Sequence, residues 1–172
     1  MGIRGIFGRP IFKGSPVTRR PVALAPLRLP SLLTAENVTS FLKYNASCEY
    51  KLVFHKQTKT LAIGNVLDEH HSNGSSVIDH PDISVKGHQG VIGGSIAFKT
   101  MIPDKLYRFK VDALSGFYGY KSDALNEVVA HLKDIFLANH YKVKNEDSAA
   151  YPNGEKAIFF TIKKTKPFTL FC

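Results

Sequence analysis

From Cys48 to His55 the chain alternates, with Cys48, Tyr50, Leu52 and Phe54 on one side and Glu49, Lys51, Val53 and His55 on the other. A period of two is the signature of a strand with one buried face, and a chain built mostly of such runs must fold around a sheet. A second run passes through Leu61, Ile63 and Leu67. Others cover Val91–Thr100, Leu106–Asp112, Tyr141–Lys144 and Lys156–Lys164. Short turn-forming stretches join neighbours at Lys56–Lys59, Pro103-Asp104 and Pro152-Asn153-Gly154. Successive strands joined so briefly pair antiparallel.

The period lengthens in two places. Thr34 reads as an N-cap with Glu36 in the first turn, followed by an apolar stripe of Ala35, Val38, Phe41 and Leu42 and a stop at Asn45. Ser122 reads as the cap of a longer helix, in which Leu125, Val128, Val129, Leu132, Ile135 and Phe136 keep helical spacing. The expected fold is α+β: a mostly antiparallel sheet of about six strands with two helices packed on one face. Residues 68–90 form a long polar loop between the two halves.

Charge divides the chain. Residues 1–35 contain Arg4, Arg9, Lys13, Arg19, Arg20 and Arg28 and no acid, whereas the remainder mixes 17 bases with 14 acids. Five prolines between Pro10 and Pro30 break any long helix or secretory apolar region. The expected division is a basic Arg/Pro-rich extension over 1–33 and a single α+β domain over 34–172. An Arg-rich, acid-free start has the composition of a mitochondrial targeting segment, or of an arm retained to lie along phosphates. No apolar run approaches the length of a membrane span, and Cys48 and Cys172 give neither a disulfide framework nor metal-type spacing.

The candidate chemistry is sparse. The 68–88 loop gathers His, Asp and Glu, of which His70, His80 and Asp82 are the candidate metal ligands. The spacing matches no zinc motif. Gly87, Gly90, Gly93 and Gly94 lie on the way into a strand rather than a helix, so they read as bends and not as a phosphate cradle. No cofactor motif and no catalytic constellation is expected.

Nucleic acid is the partner that the charge favours. Candidate contacts are Arg4, Arg9, Arg19, Arg20 and Arg28 of the extension, Arg108, Lys163 and Lys164 of the strands, and Tyr118 and Tyr120 as stacking rings. Tyr107 and Lys110 beside Arg108 extend the same basic and aromatic patch. The closing Pro167–Cys172 segment carries Phe168, Leu170 and Phe171, an apolar tail suited to a protein partner. The expectation is a non-catalytic, rRNA-contacting subunit of a mitochondrial assembly such as the mitochondrial ribosome. Two alternatives are a metal-dependent enzyme using the 68–88 loop and a self-assembling shell protein whose N-terminal arm binds nucleic acid.

Overall fold

Phe98, Phe109 and Phe160 stand directly opposite one another on three adjacent strands, their ring centroids 5.0 and 5.3 Å apart. Cross-strand aromatic pairs of this kind stabilise a sheet beyond the area they bury. The structure, a computed structural model, describes residues 25, 27–45, 49–65, 90–115 and 118–165. In chain order the elements are β1 (Ser31–Leu32), α1 (Val38–Tyr44), β2 (Glu49–His55), β3 (Thr60–Asn65), β4 (Val91–Ile102) and β5 (Leu106–Asp112). A small ribbon, β6 (Leu114–Ser115) and β7 (Gly119–Tyr120), precedes α2 (Leu125–Ala138), β8 (Tyr141–Ala150) and β9 (Lys156–Lys164). The main sheet is 7-stranded in the order β1-β3-β2-β4-β5-β9-β8, and every pairing is antiparallel.

The α+β reading holds, with seven strands and a separate two-stranded ribbon in place of about six. The additions are β1 and the ribbon strands, two residues each, which are too short to leave a periodicity. Strand β8 also outruns the expected Tyr141–Lys144. Its extension to Ala150 is exposed edge and carries no apolar alternation to reveal it.

Both helices lie on the aromatic side. Phe41 of α1 sits 5.1 Å from Phe98, and Phe136 of α2 sits 5.0 Å from Phe109. The six α2 positions named from their spacing are all buried, as are Val38, Phe41 and Leu42 of α1. Each large side chain so buried stabilises the fold by about 1.5–3 kcal/mol.

The helix starts differ from expectation for a local reason. The Asn37 side chain accepts the Thr34 N–H at 2.9 Å and donates to the Leu32 carbonyl at 2.7 Å, so Asn37 locks residues 34–37 into a turn and α1 begins after it. Ser122 opens a short 3-10 turn instead of capping α2. Its hydroxyl donates to Glu155 at 2.7 Å and accepts the Lys156 N–H at 3.1 Å, tying the entry of α2 to the β8–β9 turn.

The packed unit also reaches back into the span read as extension. Leu33 is 2% exposed, β1 pairs with β3, and Leu27 and Leu29 pack against the core. The Leu27 N–H donates to the Asn45 side chain at 3.1 Å. Among the described residues no helix is long and apolar enough to cross a membrane.

His131 of α2 gives the fold a pH dependence. Its ring lies 5.3 Å from Phe54, and burial lowers its pKa, with Lys59 acting in the same direction and Asp134 opposing. The folded state therefore binds this proton more weakly than the unfolded chain does. The neutral-histidine contribution to stability is complete above the ordinary value of about 6.5 and is lost as pH falls below it. Urea unfolding at about pH 7.5 and about pH 5.5 should show a smaller acid-side loss for His131→Gln than for the native chain. Equal losses would place the acid sensitivity elsewhere.

Candidate nucleic-acid interface

The second face of the sheet is a different surface. Strand alternation sends Tyr107, Phe109 and Val111 of β5 to the helices, so Arg108, Lys110 and Asp112 point the other way. Because directly paired residues share a face, the register arranges this face in rows that cross the strands. One row runs Lys51, Ser95, Asp112, Ala157, Ala149, and the next runs Glu49, Ala97, Lys110, Phe159, Asp147. A third is Lys99, Arg108, Thr161, Lys144, and a fourth is Leu106, Lys163, Lys142.

The third and fourth rows hold five cations and no acid. Lys99, Arg108, Lys142, Lys144 and Lys163 are all exposed. Two of the pairs are like charges directly opposite one another, Lys99 with Arg108 and Lys163 with Lys142. Such pairs destabilise a sheet, by the same ~0.2–1 kcal/mol that an opposite-charge pair would contribute. Bound anions would offset that cost. The third row crosses four adjacent strands, about 14 Å at the usual inter-strand spacing of about 4.8 Å.

Phe159 stands in the adjacent row, half-buried, with Ala157 and Thr161 as its neighbours along β9 on this face. A depression of about 440 Å³ lies against it, lined by Arg108, Asn145, Asp147, Ala149 and Thr161. A second of about 200 Å³ is lined by Phe159 together with Ala97, Lys99, Arg108 and Lys110. The larger depression has a local cause. Between Lys144 and Asp147 the edge strand β8 carries two residues where β9 has only Phe160, and Asn145 in this bulge has φ 55°. Asn is among the residues that tolerate a positive φ best, and a bulge re-aims side chains beside a site.

Asp112 anchors the acidic end. The residue is 5% exposed. Its carboxylate accepts the Ser95 N–H at 3.1 Å, the Leu114 N–H at 3.2 Å, the Ser95 hydroxyl at 2.8 Å and the Tyr151 hydroxyl at 3.0 Å. A carboxylate engaged by four donors fixes its neighbours in place. Tyr151 is thereby folded over the face with Lys110 5.3 Å from its ring centroid. Its hydroxyl raises the Lys110 pKa, so that ammonium stays charged.

The residues picked out by sequence separate on this structure. Arg108 and Lys163 come together on the cationic face. Lys164, one residue on, points to the helix side, where its ammonium donates to the Asn139 carbonyl at 2.9 Å and lies 4.6 Å from the Tyr141 ring centroid. Tyr107 is 2% exposed in the core, on the opposite side from Arg108. Tyr118 packs on Val53 and Val91, and a Cβ at Gly93 would come within 2.9 Å of its ring. Tyr120 is 61% exposed on β7, and Arg28 is exposed beside the core-packed Leu27 and Leu29.

Arg4, Arg9, Arg19, Arg20, the metal candidates His70, His80 and Asp82, and the tail at Phe168–Cys172 lie outside the described residues. Among the described residues no three His, Cys, Asp or Glu side chains converge as a metal site would require. Sequence reading missed Lys99, Lys142, Lys144 and Phe159. The available signal was the phase of the lysines within each strand, opposite to the helix-facing aromatics.

No known protein family, no curated protein and no solved structure matches this chain.

Proposed function

We propose that this protein is a non-catalytic, RNA-contacting subunit of a mitochondrial assembly, with the mitochondrial ribosome as that assembly. The observation that carries the reading is the row Lys99, Arg108, Thr161, Lys144 with Lys163 and Lys142 beside it, cations set against cations on an open sheet face. Phosphates are the partner that turns this repulsion into attraction, through charge-assisted bonds and counterion release. The Arg-rich, acid-free start of the chain supports the mitochondrial destination.

Sedimentation of a mitochondrial lysate tests the assembly. The protein should travel with ribosomal particles and leave them on nuclease treatment, and RNA cross-links should fall on peptides from β4, β5, β8 and β9. A protein that stays at the top of the gradient without RNA cross-links would overturn the proposal. Destination is tested separately. A reporter fused to residues 1–35 should reach mitochondria, and changing Arg4, Arg9, Arg19 and Arg20 to Ser should abolish import. A cytosolic native fusion would remove the mitochondrial part of the reading.

A further inference from the structure

We infer that the cationic face takes single-stranded RNA, with a base stacked on Phe159 and the backbone running along the Lys99–Arg108–Lys144 row. The inference rests on the RNA-contacting reading and narrows it to one form of the ligand. Duplex RNA is recognised mainly through groove shape and phosphates, with its bases enclosed in the stack. Binders of single strands instead combine a positive track with an aromatic platform beside it. This face has both, in neighbouring rows two residues apart along the strands.

Phe159 sits one residue pair from the cation row: Lys110 is its partner on β5, Asp147 its partner on β8, and Arg108 is paired with Thr161 in the next row. Along its own strand the same-face neighbours are Ala157 and Thr161, both smaller than the ring, which is itself half-buried. The depression beside the β8 bulge gives a base somewhere to lie, with Arg108 of the cation row among its lining residues. Asn145 and Asp147 line that same depression. An amide and a carboxylate are the groups that pair with base edges, the carboxylate accepting from an exocyclic amine. Phosphates on the cation row and a base on Phe159 therefore fit one extended strand lying across β4, β5, β9 and β8. In a duplex the base would first have to be unpaired.

The test uses the full chain and two probes, a labelled single-stranded RNA of about ten nucleotides, within the ~4–16 nucleotide sites of sheet-based binders, and a blunt duplex of the same sequence. Phe159→Leu should weaken single-strand binding roughly 5- to 150-fold, the effect of removing one stacked base, and leave duplex binding unchanged. Phe159→Trp should restore it. The chain has no tryptophan, so this variant also gives a single tryptophan, selectively excited apart from the tyrosines, whose emission a stacked base should quench.

Equal binding of single strand and duplex, indifferent to Phe159→Leu and without quenching, would overturn the single-strand inference while the RNA-contacting reading stands. Absence of binding to both probes would overturn both, and binding untouched by Arg108→Glu would place the RNA off this face and overturn the inference. Displacement of the RNA by polyglutamate that binds native and Phe159→Leu proteins alike would also overturn it, in favour of an acidic protein partner.

Discussion

Replacing Gly94 with alanine will destabilise this protein more than any conservative surface change. At the end of β5 the backbone passes directly over Gly94. A Cβ there would lie 1.9 Å from the Asp112 carbonyl oxygen, 2.8 Å from its carbonyl carbon and 2.9 Å from the Ala113 Cα. Overpacking a core typically costs about 1–3 kcal/mol when side chains can move aside. Here the obstacle is main chain, and it is held in place because the Asp112 carboxylate accepts the N–H groups of both Ser95 and Leu114.

The expected penalty is therefore at or above the upper end of that range, a large fraction of a typical total stability of about 5–15 kcal/mol. Gly154 is the control. Its φ is +86° and nothing lies within 4 Å of its added Cβ, so alanine there meets only the left-handed backbone cost of about 1–2 kcal/mol. Urea unfolding of the two variants should show Gly94→Ala far below Gly154→Ala. A Gly94→Ala midpoint near the native value would mean that β5 leaves the sheet by another path.

Exchanging one lysine in each like-charged pair should move stability and RNA affinity in opposite directions. Lys99→Glu faces Arg108 and Lys142→Glu faces Lys163, so each substitution turns a repulsive cross-strand pair into an attractive one. Pairs of this kind contribute about 0.2–1 kcal/mol each, and the double variant should be more stable than the native chain by a measurable amount. It should also bind RNA more weakly, and each lost phosphate contact should flatten the dependence of log K on log salt by about 0.7 for a single strand. Thermal melts and salt titrations of the same preparation test both halves. If stability and binding fall together, the substitutions have disturbed the sheet. If the salt slope is unchanged, phosphates do not lie on this face.

The alternation of Leu106–Asp112 and Lys156–Lys164 was enough to draw both strands to their observed ends, and the spacing of Leu125–Phe136 was enough to name every buried position of α2. These are local regularities. A strand or helix repeats its geometry every few residues, so one buried face prints a period on the sequence itself. The same alternation sets Arg108 and Lys110 on the side of β5 away from Tyr107, Phe109 and Val111.

The neighbours of Arg108 could not be assigned. That Arg108 meets Thr161 depends on β5 and β9, far apart in sequence, pairing in one register, and that Lys99 faces Arg108 and Lys144 faces Thr161 depends on the register shift that each hairpin carries. A one-residue slip in any of those pairings would send that strand's lysines to the helix side. The same holds for strand order. The closing hairpin inserts β9, and not the nearer-in-sequence β8, beside β5, because β9 carries the apolar Ile158, Phe160 and Ile162 that extend the core. β8, largely polar after Val143, is left at the edge, where its bulge opens the depression beside Phe159. The sequence determined which residues could face one another. Burial of the largest continuous apolar surface by the whole sheet decided which of them do.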